Sequence, residues 1–325
     1  MRSKLKIKIN VKFVDFWSNF DQKNNFFVNL LRDKYDFIFS DNPDYLIYSV
    51  YGNSHLKYNC VKIFFTGENI IPDFNCCDYA LGFHDISFEN RYFRLPLYLL
   101  NRSTLDLVET KHIFRNDEIK QKTGFCNFIY SNKTGILRNI FFEKLSQYKF
   151  VDSGGNFNNN IGFKVGDKLE FQKKFKFSIA FENSYGSGYT TEKIMDAFAA
   201  KTIPIYWGNP SVNKDFNPKA FINVHDYSSL DEVVNEVIEI DNDDNLLLSY
   251  LSEPVFEGIK KIQNKDLINF FDNIFTNSFD LVLNKKYYGI WYENHLSEIK
   301  ISSNFRYNQV FKPIRFIINK FLKRG

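Results

Sequence analysis

The stretch Phe175–Gly208, FKFSIAFENSYGSGYTTEKIMDAFAAKTIPIYWG, holds two apolar runs on either side of a helical one. Phe175–Phe181 and Ile203–Trp207 predict buried strands, and Thr191–Lys201 predicts the helix between them. Strand, helix and strand in that order predict parallel pairing, and open sheets of this kind bind ligands beyond the carboxyl ends of their strands. Glu182, Asn183 and Ser184 sit at such an end. The loop that follows carries Gly186 and Gly188, which let backbone approach a neighbour closely. A helix start offers unpaired N–H groups and a positive dipole end, which suit phosphate. Glu192 agrees with that dipole and Lys193 opposes it, so the lysine is the residue that breaks a local rule. An ordinary capped helix with a solvated lysine shares these local features.

Outward from this stretch the same alternation recurs. Lys4–Val14 predicts a strand, with Leu5, Ile7, Ile9, Val11 and Phe13 alternating with polar residues. Asn25–Asp33 predicts a helix, and Tyr35–Ser40, Tyr45–Val50, Val61–Thr66 and Tyr79–Phe83 predict buried strands. The pattern weakens over Asn101–Thr123, which reads as a linker. Phe125–Tyr130 predicts a strand. Thr134 is expected to cap a helix with Leu137, Ile140, Phe141 and Leu145 on one face. A short strand at Phe150–Val151, the Gly/Asn-rich loop Ser153–Gly162, a strand at Ala220–Val224 and helices near Leu230–Ile240 and Leu267–Phe275 complete the pattern. The expected fold is α/β, with two Rossmann-like domains facing a cleft. The expected bounds are 1–105 for the first domain, 106–123 for the linker, 124–290 for the second domain and 291–325 for a basic helical tail.

Two further positions share the chemistry of strand ends. Val61–Thr66 delivers Glu68 at its carboxyl end, where a carboxylate suits a general base; a surface-turn glutamate is the plain alternative. Ser131 and Asn132 follow the first strand of the second domain, and Arg138 lies near the next helix start, where its planar fork matches phosphate. Asp241-Asn242-Asp243 has the D-x-D form by which some transferases hold a divalent metal. No strand leads into it, and a solvated charge cluster is expected there.

Composition narrows the classes. The 325 residues are 44% hydrophobic and 25% charged, enough for large cores and against global disorder. Aromatic residues reach 18%, spread along the whole chain, which points to coding bias before sugar-stacking platforms. A net charge of +4 with no interior basic stripe argues against nucleic acid as a partner. Cys60, Cys76, Cys77 and Cys126 have no zinc-site spacing, and the adjacent pair cannot take ordinary disulfide geometry, so free thiols in a reducing compartment are expected. Met1–Val14 is basic but alternates like a strand, unlike a signal peptide. No run approaches the roughly 18 apolar residues of a membrane span.

Phe181-Glu182-Asn183, Tyr189, Glu192-Lys193 and Ile203–Gly208, at their spacing, resemble the signature of the α1,3/4-fucosyltransferases, glycosyltransferase family ten. Thr66-Gly67-Glu68-Asn69, Arg94-Leu95-Pro96-Leu97-Tyr98 and Ser131-Asn132 with Arg138 resemble family segments in the family order. Asn209–Val212, Lys214–Lys219 and Val224–Asp226 resemble the bacterial, Lewis-antigen-forming members. The resemblance implies a GT-B architecture with the acceptor domain first. It implies inverting transfer from GDP-β-L-fucose to the 3-hydroxyl of GlcNAc in a LacNAc-type glycan, on lipopolysaccharide or oligosaccharide, with no metal required. It implies Glu68 as the base. Arg138 and Lys193 would stabilise phosphate charge, Asn183 and Tyr189 would position the nucleotide, and Glu192 would face ribose or the developing fucosyl charge. A transferase using another sugar nucleotide and an inactive carbohydrate-binding relative are the alternatives.

Several relatives carry heptad repeats before a basic tail, and none occurs here. The tail remains: Val310, Ile314, Ile317 and Phe321 recur at helical spacing, interrupted by Pro313, among Arg306, Lys312, Arg315, Lys320, Lys323 and Arg324. That pattern suits a helix lying on an anionic membrane surface. The expected location is the bacterial cytoplasm, peripheral on the inner face of the membrane.

Overall fold

The computed structural model describes residues 6–109, 114–259 and 262–276, with positions 294, 297 and 298 beyond. By its internal contacts the chain divides into two units. One takes in the chain to Leu81, Phe88–Phe93 and the chain from Asn264; the other takes in Gly82–Ser87 and Arg94–Gln263. These units and the sequence-continuous bounds expected above cut the chain at different places.

The first sheet is built from β1 (Ile7–Val14), β2 (Tyr35–Phe39), β3 (Tyr45–Tyr48), β4 (Val61–Phe65), β5 (Tyr79–Gly82) and β6 (Tyr92–Arg94), in the order β2-β1-β3-β4-β5-β6. The pairs from β2 to β5 are parallel. Ile9, Val11 and Phe13 of β1 are buried, as their alternation requires. The helix α1 (Phe26–Leu31) starts at Asn25, whose side chain accepts from the N–H groups of Phe27 and Val28.

The second sheet is wholly parallel. It joins β7 (Gly124–Phe128), β8 (Val151–Ser153), β9 (Phe175–Phe181), β10 (Ile203–Trp207) and β11 (Ile222–Asn223) in the order β11-β10-β9-β7-β8. Both sheets thus run second-first-third-fourth, and the order reverses between β1 and β3 and between β7 and β9. That reversal is the point at which doubly wound sheets open a ligand crevice. Helices α2 (Arg102–Glu109) and α3 (Asn116–Ile119) lie where a linker was expected, and Leu105 of α2 packs into the cluster that holds Ile194 and Phe198. Around the second sheet run α4 (Ile136–Tyr148), α5 (Lys168–Gln172), α6 (Lys193–Ala199), α7 (Leu230–Asn242) and α8 (Asp244–Ser252). The helix α9 (Asn264–Thr276) follows them in sequence yet covers the first sheet: Phe271 meets Phe27 edge-on, and Phe270 meets Tyr79.

Three local expectations are corrected. Thr134 does not cap α4: its hydroxyl donates to Asn132, and the cap position is Gly135. The buried face of α4 is Arg138, Phe141, Phe142 and Leu145, while Ile140 is exposed. Asp241 is not part of a solvated cluster, whereas Asp243 stays exposed as expected. Asp241 is buried and accepts from Lys176 at 2.8 Å and from Lys149 and Tyr148 at 3.0 Å, and Asp243 caps α8. The tail expectation, residues 306–324, lies outside the described residues. Among the described residues no helix is long and apolar enough to cross a membrane.

Candidate active site

The end of β9 delivers Glu182 into the protein, with its side chain fully buried. Its Oε1 accepts from the Thr191 N–H at 2.7 Å, and its Oε2 accepts from the Thr191 hydroxyl at 2.7 Å and from Lys193 Nζ at 3.0 Å. Lys193 also donates to Thr191 Oγ1 at 2.8 Å and approaches Glu192 Oε1 at 3.4 Å. The helix thus begins later than the sequence suggested, at Lys193, and the Thr191 amide is already committed to Glu182. The rule that Lys193 breaks has its reason here: two carboxylates outweigh an unfavourable dipole. Burial works against the Lys193 ammonium, but Glu182 and Glu192 more than offset it and hold its pKa above the ordinary value. Burial, and to a lesser degree Glu192, raises the Glu182 carboxyl, yet all three of its hydrogen bonds come from donors, and we read the pair as charged. Burial opposes charge on Glu192 as well, and Lys193 prevails, so its carboxyl sits below the ordinary value.

Arg138 is the second cation of the site, and it is buried. It rises from the first turn of α4, is 1% exposed, and lays its guanidinium 3.8 Å from the centre of the Tyr130 ring. Nη1 donates to Asn183 Oδ1 at 2.8 Å, and Nη2 donates to the Asn132 carbonyl. Its Nε is buried without a hydrogen-bond partner. Burial pulls this guanidinium below its ordinary pKa. Gly135 at the cap makes room for it: a Cβ there would lie 2.7 Å from Arg138 Cζ. Space for the guanidinium therefore accounts for the glycine that displaced the expected threonine cap.

These groups gather at the reversal between β7 and β9. A cavity of about 250 Å³ opens there, lined by Tyr130, Asn132, Lys168, Asn183, Glu192 and Lys193 among others. Of the residues singled out from sequence, Ser131, Asn132, Asn183, Glu192 and Lys193 line it, and Arg138 holds two of its walls. Tyr189 is buried against Phe83, with ring centres 4.7 Å apart, and is not among the lining residues. Gly188, at φ +84°, presses on the backbone of Phe83 and Asp85, so its freedom serves internal packing. Glu68 belongs to the first unit, just beyond β4. It is exposed, its N–H donates to Thr66 Oγ1 at 2.9 Å, and its Oε1 accepts from the Tyr51 hydroxyl at 2.8 Å. Among the described residues no group of three His, Cys, Asp or Glu side chains could hold a metal ion.

Residues 11–101 match the N-terminal domain of the α-(1,3)-fucosyltransferase FucT, and residues 119–267 match the C-terminal part of glycosyltransferase family 10, the fucosyltransferases. The Helicobacter pylori α-(1,3)-fucosyltransferase FucT is 34% identical over 324 residues, covering 85% of this chain and 68% of that protein. The chain belongs to glycosyltransferase family 10. A crystal structure of an α1,3-fucosyltransferase with GDP-fucose superimposes at a TM-score of 0.74 with 31% identity, covering 86% of this chain and 93% of that one. A second α1,3-fucosyltransferase crystal structure reaches 0.77 with 30% identity, covering 89% and 95%. The fold is accordingly GT-B, and the chain is a fucosyltransferase.

The sequence alone assigns no role in this site to Glu182 or Lys168, among others. Glu182 stands at a strand end, but nothing local shows that its carboxylate turns inward onto Lys193. Lys168, which lines the cavity and pairs with Asp196 at 2.7 Å, lies on a five-residue helix with no motif to mark it.

Proposed function

We propose that the enzyme transfers L-fucose from GDP-β-L-fucose to the 3-hydroxyl of GlcNAc in a LacNAc-type glycan, with inversion at the anomeric carbon. The observation that carries this reading is the pair of cations at the β7/β9 reversal, Lys193 at the cavity wall against Glu182 and Arg138 buried behind Asn183. The solved relative described with GDP-fucose supports the same donor. In the reaction the acceptor oxygen forms a bond to the anomeric carbon, the bond from that carbon to the diphosphate breaks, and GDP departs with the electron pair. The acceptor proton passes to the Glu68 carboxylate. A diphosphate needs no acid to leave, but its growing charge needs fixed positive partners in a dry setting, and Lys193 and Arg138 supply them. Asn183 and Glu192, both on the cavity wall, position the nucleotide or the sugar, whereas Tyr189, packed on Phe83, does not line it.

The test is turnover with GDP-fucose and LacNAc, with product linkage read directly, against other sugar nucleotides. Glu68→Gln is expected to lower transfer by about 10²–10⁴-fold, the usual weight of a general base. GDP affinity, read by calorimetry, should hold within about two-fold. Normal turnover by this variant would remove Glu68 from the base role. Lipopolysaccharide is the proposed setting, with the basic tail resting on an anionic membrane. Flotation on anionic liposomes with and without residues 304–325 tests this, and equal recovery would sink it.

A further inference from the structure

The order of the first sheet reverses between β1 and β3, so the carboxyl ends of those two strands are where a crevice is expected in this unit. Asp15 follows β1, and Tyr51 follows β3. The Tyr51 N–H donates to the Asp15 carbonyl at 2.9 Å, which ties one strand end to the other. Asp15 is itself anchored. Its carboxylate accepts from the Ser54 N–H at 2.8 Å and the His55 N–H at 2.9 Å, and lies 2.7 Å from His55 Nδ1. Burial opposes charge on Asp15, but the donors of His55 and Ser54 outweigh it and hold its carboxyl below the ordinary value. Asp15 adopts φ +60°, a backbone conformation uncommon outside glycine, which this ring of donors holds in place. His55 in turn stacks on Tyr48 of β3, with ring centres 4.1 Å apart.

Tyr51 stands on this anchored base with half its surface exposed. The Trp17 ring meets it at 90°, with centres 6.4 Å apart, which limits its swing. Its hydroxyl reaches across to Glu68 Oε1. Burial, then Glu68, pushes the phenol up to about 12, so it remains a donor at working pH. A solvent-exposed glutamate left alone samples several rotamers, and a base must meet its proton within hydrogen-bond reach. Here one oxygen is held and the other, Oε2, is left to the acceptor.

We propose that Tyr51 is a positioning residue for the Glu68 base, fixing the carboxylate through its hydroxyl so that Oε2 faces the acceptor hydroxyl. The inference rests on the base role proposed for Glu68.

The full chain is compared with Tyr51→Phe, Glu68→Asp and the double variant, each with GDP-fucose and LacNAc. The shortened carboxylate of Glu68→Asp does not reach the phenol. Tyr51→Phe is expected to lower kcat by about 10–100-fold, the scale of a misplaced catalytic group. KM for donor and acceptor should hold within about two-fold. In the Glu68→Asp background the same change should have almost no further effect, because two residues acting through one contact are not additive. A Tyr51→Phe enzyme with wild-type kcat overturns the inference, as does a loss repeated in full in the double variant. Melting temperature, read alongside, separates these outcomes from unfolding: a lowered kcat that only accompanies a lowered melting point also counts against it. Loss of transfer in Glu68→Gln with none in Tyr51→Phe leaves the base in place and removes only Tyr51. Normal turnover in Glu68→Gln removes both.

Discussion

The carboxyl edges of the two sheets treat a glutamate in opposite ways. Glu182 in the second unit is sealed, with its oxygens taken by Thr191 and Lys193. Glu68 in the first unit is exposed, held by one side-chain hydrogen bond and a backbone turn. Both follow apolar parallel strands, so the strand alone does not decide their roles. Burial does. A sealed carboxylate cannot meet a substrate proton, but it fixes a lysine beside a cavity in its charged form. An exposed carboxylate contributes little to stability, but it can exchange a proton with a bound hydroxyl. Desolvating the Glu182–Lys193 pair is expensive, and its attraction in a low dielectric only roughly repays that. The pair is therefore better understood as preparation for a diphosphate than as a stabilising device.

This contrast predicts different failures. Lys193→Met leaves Glu182 buried without its cation, and should cost about 3–5 kcal/mol in denaturant unfolding, with loss of GDP binding. Adding Glu182→Gln should restore part of that stability and none of the binding. If Lys193→Met unfolds like the wild type, the pair is not the sealed unit described. A smaller effect is expected from Gly135→Ala. Its Cβ would crowd Arg138 at 2.7 Å, and the guanidinium, pinned by Asn183 and Asn132, has little room to yield. Overpacking of this kind costs about 1–3 kcal/mol. GDP affinity should fall by about ten-fold, equal to 1.4 kcal/mol. Unchanged affinity would mean that Arg138 is structural and not part of the anion site.

Much of this contrast is legible from the sequence, for a physical reason. Asn183 and Glu68 follow apolar strands closely, Lys193 starts the helix after one, and parallel sheets present their strand ends to ligands. Arg138 is legible as a cation near a helix start. Its use of Gly135 is not, because the cap rule favours Thr134 and nothing local reveals that a guanidinium fills the space a Cβ would take. The place of α9 is hidden for a different reason. Its apolar face predicts a buried helix, but Phe271 finds Phe27 across most of the chain, and periodicity says nothing about the partner. Asp241 is hidden in the same way: a polar stretch with two aspartates reads as solvated until Lys176 and Lys149, distant in sequence, are brought beside Asp241.

The smallest expected change in stability belongs to the residue with the largest expected change in rate. Glu68→Gln removes a charge that water already solvates, and the amide oxygen still accepts from Tyr51. Unfolding should shift by no more than about 0.5 kcal/mol, as for surface positions without structural duties. A base supplied by an exposed loop should thus be separable from the fold, in a way that the Lys193 site is not. Should Glu68→Gln instead destabilise the chain as strongly as Lys193→Met, the two edges would not differ as their burial implies. The loss of transfer in that variant would then trace to folding, and not to the absence of a group that takes the acceptor proton.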